Sequence, residues 1–190
     1  MNITPLKIIV FSWVLFAGYW LIAAIGSKKP AKRQRTGERT GHIILMALGA
    51  FLLYSPDPRF GWLNQRFLPD KLWIDYLGAV LTLAGVLFAI WARYTIGKEW
   101  SAEIQIKQGH ELIRTGPYAR IRHPIYTGML LGLAGTAVSI GAYRALLGVT
   151  FFVVGFVRKA RKEEKLLASE FGPVFDDHRR HTGFFLPKFS

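Results

Sequence analysis

Long apolar blocks alternate with shorter polar and basic segments along the chain of 190 residues. The two longest blocks, residues 6–25 and 72–94, match the roughly 20 residues that an α-helix needs to cross a bilayer. Residues 124–140 are somewhat shorter, and residues 41–54 and 145–157 are shorter still. The pattern predicts an all-α, polytopic membrane helix bundle of about five transmembrane helices.

Small residues predict which of these helices pack closely. They recur at spacings of three and four within residues 72–94, and such a face lets another helix approach. The members of this face are Gly78, Thr82, Gly85 and Ala89. Gly128 and Gly132 form a GxxxG pattern in the next block, and its expected role is helix packing.

The C-terminal third of the chain predicts two continuous helical units. Only the short break Gly141–Arg144 separates the last two apolar blocks, which predicts a tight helical hairpin. The second block runs into the charged stretch Arg158–Phe171, and Gly172 with Pro173 forms a helix stop signal. This stretch is amphipathic, so we expect it to cap the bundle on the cytoplasmic side.

The basic residues are distributed unevenly between the apolar blocks. The formal net charge is +13, yet only 19% of residues are charged and 51% are hydrophobic. With five crossings, 20 of the 25 lysines and arginines fall on one side of the membrane. By the positive-inside rule that side is cytoplasmic, so the N-terminus lies outside and the C-terminus inside. We therefore expect an integral membrane protein (of the inner membrane if prokaryotic) that contacts anionic lipids and binds no nucleic acid.

The composition excludes several kinds of site. The chain has no cysteine, which excludes disulfide scaffolds, Cys-ligated zinc, iron–sulfur chemistry and thiol catalysis. His178 and His181 lie near two aspartates, but nothing completes a coordination shell, so no metal site is predicted. We expect a single domain over residues 1–190, with the first three spans in residues 1–95 and the remaining elements in residues 96–190.

Two polar segments on the predicted cytoplasmic side are candidates for chemistry, because loops held by a rigid scaffold commonly carry sites. Residues 109–128 contain turn glycines, two histidines, and tyrosines that can cover a flat ring. His123 immediately precedes the helix start at Pro124. These residues are equally consistent with a ligand site and with a basic surface, formed by Arg120, Arg122 and His123, that faces lipid phosphates.

The second polar segment, residues 158–172, contains the adjacent carboxylates Glu163 and Glu164. Neighbouring residues on a helix point about 100° apart, so we do not expect a symmetric pair. One carboxylate can then face inward and the other outward. On the residues alone, the favoured interpretation is that both are solvated and paired with a lysine or arginine three or four residues away.

The two polar segments together carry a distinctive set of residues. The set comprises Gly109, His110, Leu112, Ile113, Gly116, Pro117, Tyr118, Arg122, His123, Pro124, Tyr126, Gly128, Glu163, Glu164, Leu167, Phe171 and Gly172. This set resembles the isoprenylcysteine carboxyl methyltransferase family, which belongs to a broader group of integral-membrane methyltransferases that includes the phospholipid N-methyltransferases. The resemblance is close over residues 93–187 and extends to the first two spans in layout only.

This resemblance implies a cofactor site on the cytoplasmic side, between the loop before the fourth span and the C-terminal helix. The cofactor would be S-adenosylmethionine, and Glu163 would hold its ammonium group, for which a carboxylate is the natural partner. The cofactor-binding residues implied by position are His110, Glu111, Leu112, Ile113, Tyr118, His123, Pro124, Ile125, Tyr126 and Glu163.

The resemblance also implies a lipophilic acceptor that enters from the bilayer, with the carboxylate of an isoprenylcysteine-like compound as one candidate. In the family, an arginine four residues before the cofactor glutamate faces the acceptor's carboxylate. Lys159 stands at that position here, with Arg158 beside it. Lysine keeps the charge but lacks the bidentate fork of arginine. The catalytic residues expected are Arg158, Lys159 and Glu164.

Two other functions remain open at the level of sequence. The run from Arg122 to Tyr126 is shared with membrane sterol reductases, so an NADPH-dependent reductase is the alternative enzyme. A membrane scaffold that binds anionic lipid through its basic face is the alternative without catalysis. A reductase would bind reduced dinucleotide in preference to S-adenosylmethionine, and a scaffold would bind neither.

Overall fold

The computed structural model of the protein describes residues 3–25, 36–55, 58–100 and 112–189. Within these residues the chain forms α-helices and short 3₁₀ turns, and no β-strand. The α-helices are α1 (Pro5–Ile25), α2 (Thr36–Tyr54), α3 (Leu72–Ile96), α4 (Pro124–Ile140), α5 (Tyr143–Phe171) and α6 (Pro173–His181). The 3₁₀ turns are Pro58–Asn64, Gly97–Glu99 and Gly116–Ala119. The all-α prediction is confirmed.

The closest helix pair in the described part of the chain is α3 with α4, and glycines form its seam. A Cβ atom built on Gly85 would lie 2.6 Å from the carbonyl oxygen of Gly128. A Cβ atom on Gly78 would lie 2.6 Å from the carbonyl oxygen of Gly135. Such distances leave no space for a side chain. The packing role predicted for the small residues is therefore confirmed.

The connection between α4 and α5 is the short break that the sequence predicts. Gly141 adopts a left-handed backbone with φ of 68°, which ends α4, and α5 begins two residues later. Near the other end of this hairpin, the ring of Tyr126 on α4 stacks on Phe156 of α5, with centroids 5.0 Å apart. The expectation of a tightly packed hairpin needs correction, because α4 packs mainly on α3 and α5 mainly on α2. The glycine seam draws α4 to α3 instead.

α1 lies at the edge of the bundle. The indole N–H of Trp13 donates to the hydroxyl of Thr136 at 3.1 Å, and much of the remaining α1 surface is exposed. Pro5–Ala24 and Leu72–Ile96 are long and apolar enough to cross a membrane, whereas Thr40–Tyr54 and α4 are shorter apolar helices. The number of five crossings therefore stays a prediction.

The chain after the last apolar block is more ordered than its polar composition indicates. α5 continues without a break to Phe171 and ends at Gly172, which has φ of 48°. The short helix α6 follows directly, although the sequence pattern did not predict it. Pro173 supplies its first residue, and Phe175 and His178 are buried on its inner face. These two buried side chains, together with bonds from Arg114 to Val174 and Asp177, hold the nine-residue polar helix against the bundle.

Candidate functional site

The site is built where the start of α4, the later turns of α5 and the C-terminal segment Thr182–Phe185 meet at one end of the bundle. The backbone N–H of Arg122 donates to the carbonyl of Gly183 at 2.9 Å. The backbone N–H of His123 donates to the carbonyl of Phe184 at 3.3 Å. These bonds hold the residues before α4 against the C-terminal segment.

His123 is the centre of the polar network. Its side chain is only 5% exposed, and its Nδ1 atom lies 3.6 Å from Oε2 of Glu163. Its Nε2 atom lies 3.3 Å from Oε1 of Glu164. The interpretation that both glutamates are solvated is wrong, and so is the alternative that one of them faces outward. Because the two ring nitrogens lie on different edges of the imidazole, side chains that diverge by about 100° along α5 both reach the ring.

Arg122 and Glu164 form the shortest ion pair of the site. Nε of Arg122 lies 2.5 Å from Oε1 of Glu164, and the two side chains are 11% and 16% exposed. The same guanidinium also donates to the backbone carbonyls of Arg179 and Thr182. Arg122 therefore does not face lipid phosphates. Burial alone would raise the pKa of Glu164, but hydrogen bonds from His123 and Arg122 outweigh it and hold that pKa below its ordinary value.

Aromatic rings surround the second carboxylate. The hydroxyl of Tyr126 donates to Oε1 of Glu163 at 2.7 Å. The ring of Tyr126 lies between those of His123 and Phe156, with centroid distances of 5.8 and 5.0 Å and nearly parallel planes. The edge of Phe184 packs on His123 at 5.0 Å. The Glu163 carboxylate is therefore held in one orientation within a largely apolar wall.

A buried apolar cluster continues the site toward α3. Tyr118 and Ile125 pack with Ala92, and Ile113 packs against the three of them. Burial, with a contribution from the negative charge of Glu163, raises the pKa of Tyr118 above its ordinary value of 10.0. Its hydroxyl therefore stays protonated at physiological pH.

The structure brings together most of the residues that the resemblance implies for the cofactor. Those that form or border the network are Ile113, Tyr118, His123, Ile125, Tyr126 and Glu163. Pro124 is buried as the first residue of α4, and Leu112 is half-buried just before the cluster. His110 and Glu111 lie outside the described residues.

The two cations expected to contact the acceptor differ in their surroundings. The ammonium nitrogen of Lys159 lies 5.7 Å from the centroid of the Tyr126 ring, one helical turn before Glu163. Arg158 is exposed on a different face of α5. Of these two residues, Lys159 is the one that adjoins the network.

The C-terminal segment Thr182–Phe185 was absent from the residues expected in the site. Its carbonyl groups bind Arg122 and His123, and its phenylalanines cover the imidazole. The signal in the sequence was the apolar pair of Phe184 and Phe185 within an otherwise polar tail. Among the described residues, no three histidine, aspartate or glutamate side chains are grouped so that they could hold a metal ion.

The chain matches known proteins in the region that forms this site. Residues 78–169 match the sequence model of the isoprenylcysteine carboxyl methyltransferase family. This range contains α4, most of α3 and most of α5, and therefore both glutamates, His123 and Lys159.

The similar proteins include metal resistance proteins and isoprenylcysteine methyltransferases. A nickel-cobalt-cadmium resistance protein of Alcaligenes xylosoxydans xylosoxydans is 34% identical over 127 residues, covering 64% of this chain and 55% of the relative. A probable protein-S-isoprenylcysteine O-methyltransferase of Oryza sativa subsp. indica is 29% identical over 123 residues, covering 61% of this chain and 63% of the relative. The match thus spans less than two thirds of each relative.

One solved structure shares the fold over almost the entire chain. The structure of the eukaryotic intramembrane Ras methyltransferase ICMT superposes with a TM-score of 0.65 at 19% sequence identity. The superposition covers 96% of this chain and 67% of that one. The shared fold therefore includes the N-terminal helices that precede residue 78.

Proposed function

We propose that the protein is an integral-membrane, S-adenosylmethionine-dependent methyltransferase with a lipophilic acceptor, because residues 78–169 match the sequence model of the isoprenylcysteine carboxyl methyltransferase family, which their motifs resemble. The observation that carries this proposal is the Glu163 carboxylate, fixed by Tyr126 and His123 within an aromatic wall. A membrane scaffold that binds anionic lipid through a basic surface does not require two half-buried carboxylates.

The residues fit the charge and shape of the cofactor. Oε1 of Glu163 accepts from Tyr126, while Oε2 lies 3.6 Å from the nearest imidazole nitrogen, which is too long for a good hydrogen bond. A carboxylate has about four acceptor positions, so Glu163 keeps capacity for an ammonium group. Its side chain is 23% exposed, which leaves a path to it. Tyr118 and Ile113 offer an apolar surface nearby for the remainder of the cofactor.

The cofactor, when bound, supplies a methyl group on a positively charged sulfur that is open to direct displacement. The contribution of the chain is then mainly to hold the acceptor in line with that methyl group and to exclude water. Tyr126, Phe156 and Phe184 form the apolar wall that excludes water. This wall is held against α5 by the contacts of Glu164 with Arg122 and His123.

The acceptor would approach along the membrane side of the same wall. Lys159 lies against the Tyr126 ring at the point where α5 passes from its apolar half to its charged half. A lysine at this height offers a cation to an acidic group whose tail remains in the bilayer. We therefore propose that Lys159, in preference to Arg158, contacts the acceptor. A carboxylate is the favoured acceptor group.

Titration of the protein in lipid nanodiscs with S-adenosylmethionine and with NADPH tests the proposal. Saturable binding of S-adenosylmethionine and none of NADPH is expected. Replacing Glu163 by Gln keeps the shape and removes the charge, so the affinity for S-adenosylmethionine should fall by about 1.5–3 kcal/mol, the free energy of a charged hydrogen bond. Glu170→Gln is the matched control, because Glu170 is exposed farther along the same helix.

Each other outcome supports a different function. Tighter binding of NADPH would support a reductase, and binding of neither compound would support a scaffold. Equal affinities in Glu163→Gln and Glu170→Gln would remove Glu163 from the cofactor site.

A further inference from the structure

A cavity lies at the end of the bundle away from the carboxylates. Its volume is about 790 Å³, and it lies between the first half of α1, the last turns of α2 and α4, and the start of α5. The residues around it are Leu6, Ile9, Val10, Trp13, Val14, Phe16, Ala17, Leu53, Tyr54, Thr136, Ser139, Ile140 and Arg144. Thr136 is the cavity residue of α4 nearest to the site, and it lies 13 residues after His123, about 20 Å away at 1.5 Å per residue.

The walls of this cavity suit a hydrocarbon chain. Leu6, Val10 and Val14 line it and are nevertheless 68%, 53% and 64% exposed. The cavity is therefore open along α1, and in a membrane that opening faces lipid. An acyl chain is the occupant that the bilayer itself supplies.

The charge in this cavity is the unexpected feature. Arg144 is only 8% exposed, and its Nη1 atom donates to the carbonyls of Leu52 and Leu53 at 2.9 and 2.7 Å. Its Nε atom is buried without a hydrogen-bond partner. Among the described residues no carboxylate lies within ion-pair distance of this guanidinium.

The bonds to α2 explain only part of this arrangement. A cation at the C-terminal carbonyls of a helix stabilises that helix end. That role is fulfilled by one nitrogen, and an exposed residue would serve equally well. Buried arginines in membrane proteins pair with backbone carbonyls or with an opposite charge. The carbonyls of Leu52 and Leu53 use only Nη1 of Arg144, and its buried Nε is left for an anion.

We propose that this cavity binds an anionic membrane lipid, with an acyl chain between α1 and the end of α4 and with its anionic head group at Arg144. The ligand chemistry is a phosphate at the membrane surface joined to an acyl chain that enters the cavity, as in phosphatidylglycerol. This site is separate from the proposed methyltransferase site and does not depend on that activity.

The test measures how much phosphatidylglycerol the protein retains. The full chain is reconstituted in nanodiscs of phosphatidylcholine with added phosphatidylglycerol, and native mass spectrometry counts the phosphatidylglycerol molecules that stay bound when the protein is released. Thermal unfolding is measured separately in nanodiscs with and without phosphatidylglycerol. The parent protein should retain one phosphatidylglycerol and unfold at a higher temperature when that lipid is present. Arg144→Gln should weaken retention about tenfold, as loss of a charge-assisted hydrogen bond does.

Two further variants separate lipid binding from folding. Lys71→Gln removes an exposed charge at the same end of the bundle and should retain the lipid as the parent does. Ala17→Trp fills the cavity from the exposed side of α1 while leaving the bonds of Arg144 to α2 intact, and it should abolish retention.

Three results would overturn the proposal. Equal retention in Arg144→Gln and Lys71→Gln would leave Arg144 as a helix cap only. Full retention in Ala17→Trp would place the lipid elsewhere. Displacement of the lipid by a farnesylated cysteine derivative would assign the cavity to the path of the acceptor. A failure of S-adenosylmethionine to bind would leave these results unaffected.

Discussion

At the scale of single residues, position along α5 decides which charges belong to the site. Glu163, Glu164 and Lys159 all reach the residues at the start of α4, whereas Arg158 and Glu170 on the same helix are exposed. The charges in this segment are therefore not equivalent, although composition alone gives no reason to separate them. Because of this difference, replacing a buried charge and a nearby exposed charge of α5 in turn shows which of them acts in the site.

Substitution of the two adjacent cations tests the proposed contact with the acceptor. Lys159→Ala should lower methyl transfer to a carboxylate acceptor, because Lys159 adjoins Tyr126, while S-adenosylmethionine affinity and thermal stability stay close to those of the parent. Arg158→Ala should leave all three unchanged, because Arg158 is exposed. Lys159→Arg should preserve turnover, since guanidinium pairs bidentately with carboxylates. A folded but inactive Lys159→Arg would instead favour an amine acceptor.

The Arg122–Glu164 pair predicts a pH dependence of stability. The folded state lowers the pKa of Glu164 from 4.5, so this pair stabilises the fold above that pH and its contribution is lost as the pH falls through the lowered value. The difference in unfolding temperature between the parent and Glu164→Gln should accordingly shrink below about pH 4.5. Glu170→Gln should differ little from the parent at any pH. A difference for Glu164→Gln that stays constant on acidification would mean that the carboxylate is not ionised in the fold.

At the scale of helices, the glycine seam between α3 and α4 sets the architecture. Gly85 and Gly128 have no space for a Cβ atom, whereas nothing lies within 4 Å of a Cβ atom on Gly18 of α1. Gly85→Ala should lower the free energy of unfolding by about 1–3 kcal/mol, the usual cost of overpacking. Gly18→Ala, the matched control, should be neutral or slightly stabilising because alanine favours helix. Thermal unfolding in nanodiscs measures both, and an unchanged Gly85→Ala would mean that the seam adjusts easily.

The elements also show what the sequence could and could not predict. Apolar length and proline placement predicted α1, α3 and α4, because these features are local along the chain. α6 was not predicted, since a nine-residue polar helix is held by Phe175 and His178 through tertiary contact. The sequence also did not predict which helices pack together, because those contacts join residues that are distant along the chain. For the site, the motifs identified the residues, but the convergence of two glutamates on His123 required the rotation of α5 relative to α4.

At the scale of the whole molecule, the polar network and the cavity occupy opposite ends of one bundle. The carboxylates lie with the start of α4 and the later turns of α5, and Arg144 lies at the start of α5. The end that holds the network also carries Arg93, Arg114 and the basic residues in the second half of α5, from Arg158 to Lys165. Because the more basic end of a membrane protein faces the cytoplasm, this charge asymmetry predicts the side of the membrane on which the site lies.

The orientation itself gives the last prediction. Because 20 of the 25 lysines and arginines share one side when five helices cross, that side should be cytoplasmic. A reporter fused after Ser190 should then read as cytoplasmic, and one inserted in the turn Pro58–Asn64 should read as external. S-adenosylmethionine is made in the cytosol, so the proposed site is supplied only in this orientation. An external signal from the C-terminal fusion, with the turn reporter inside, would contradict both the predicted orientation and the cofactor assignment. Signals from the same side for both reporters would contradict the number of five crossings.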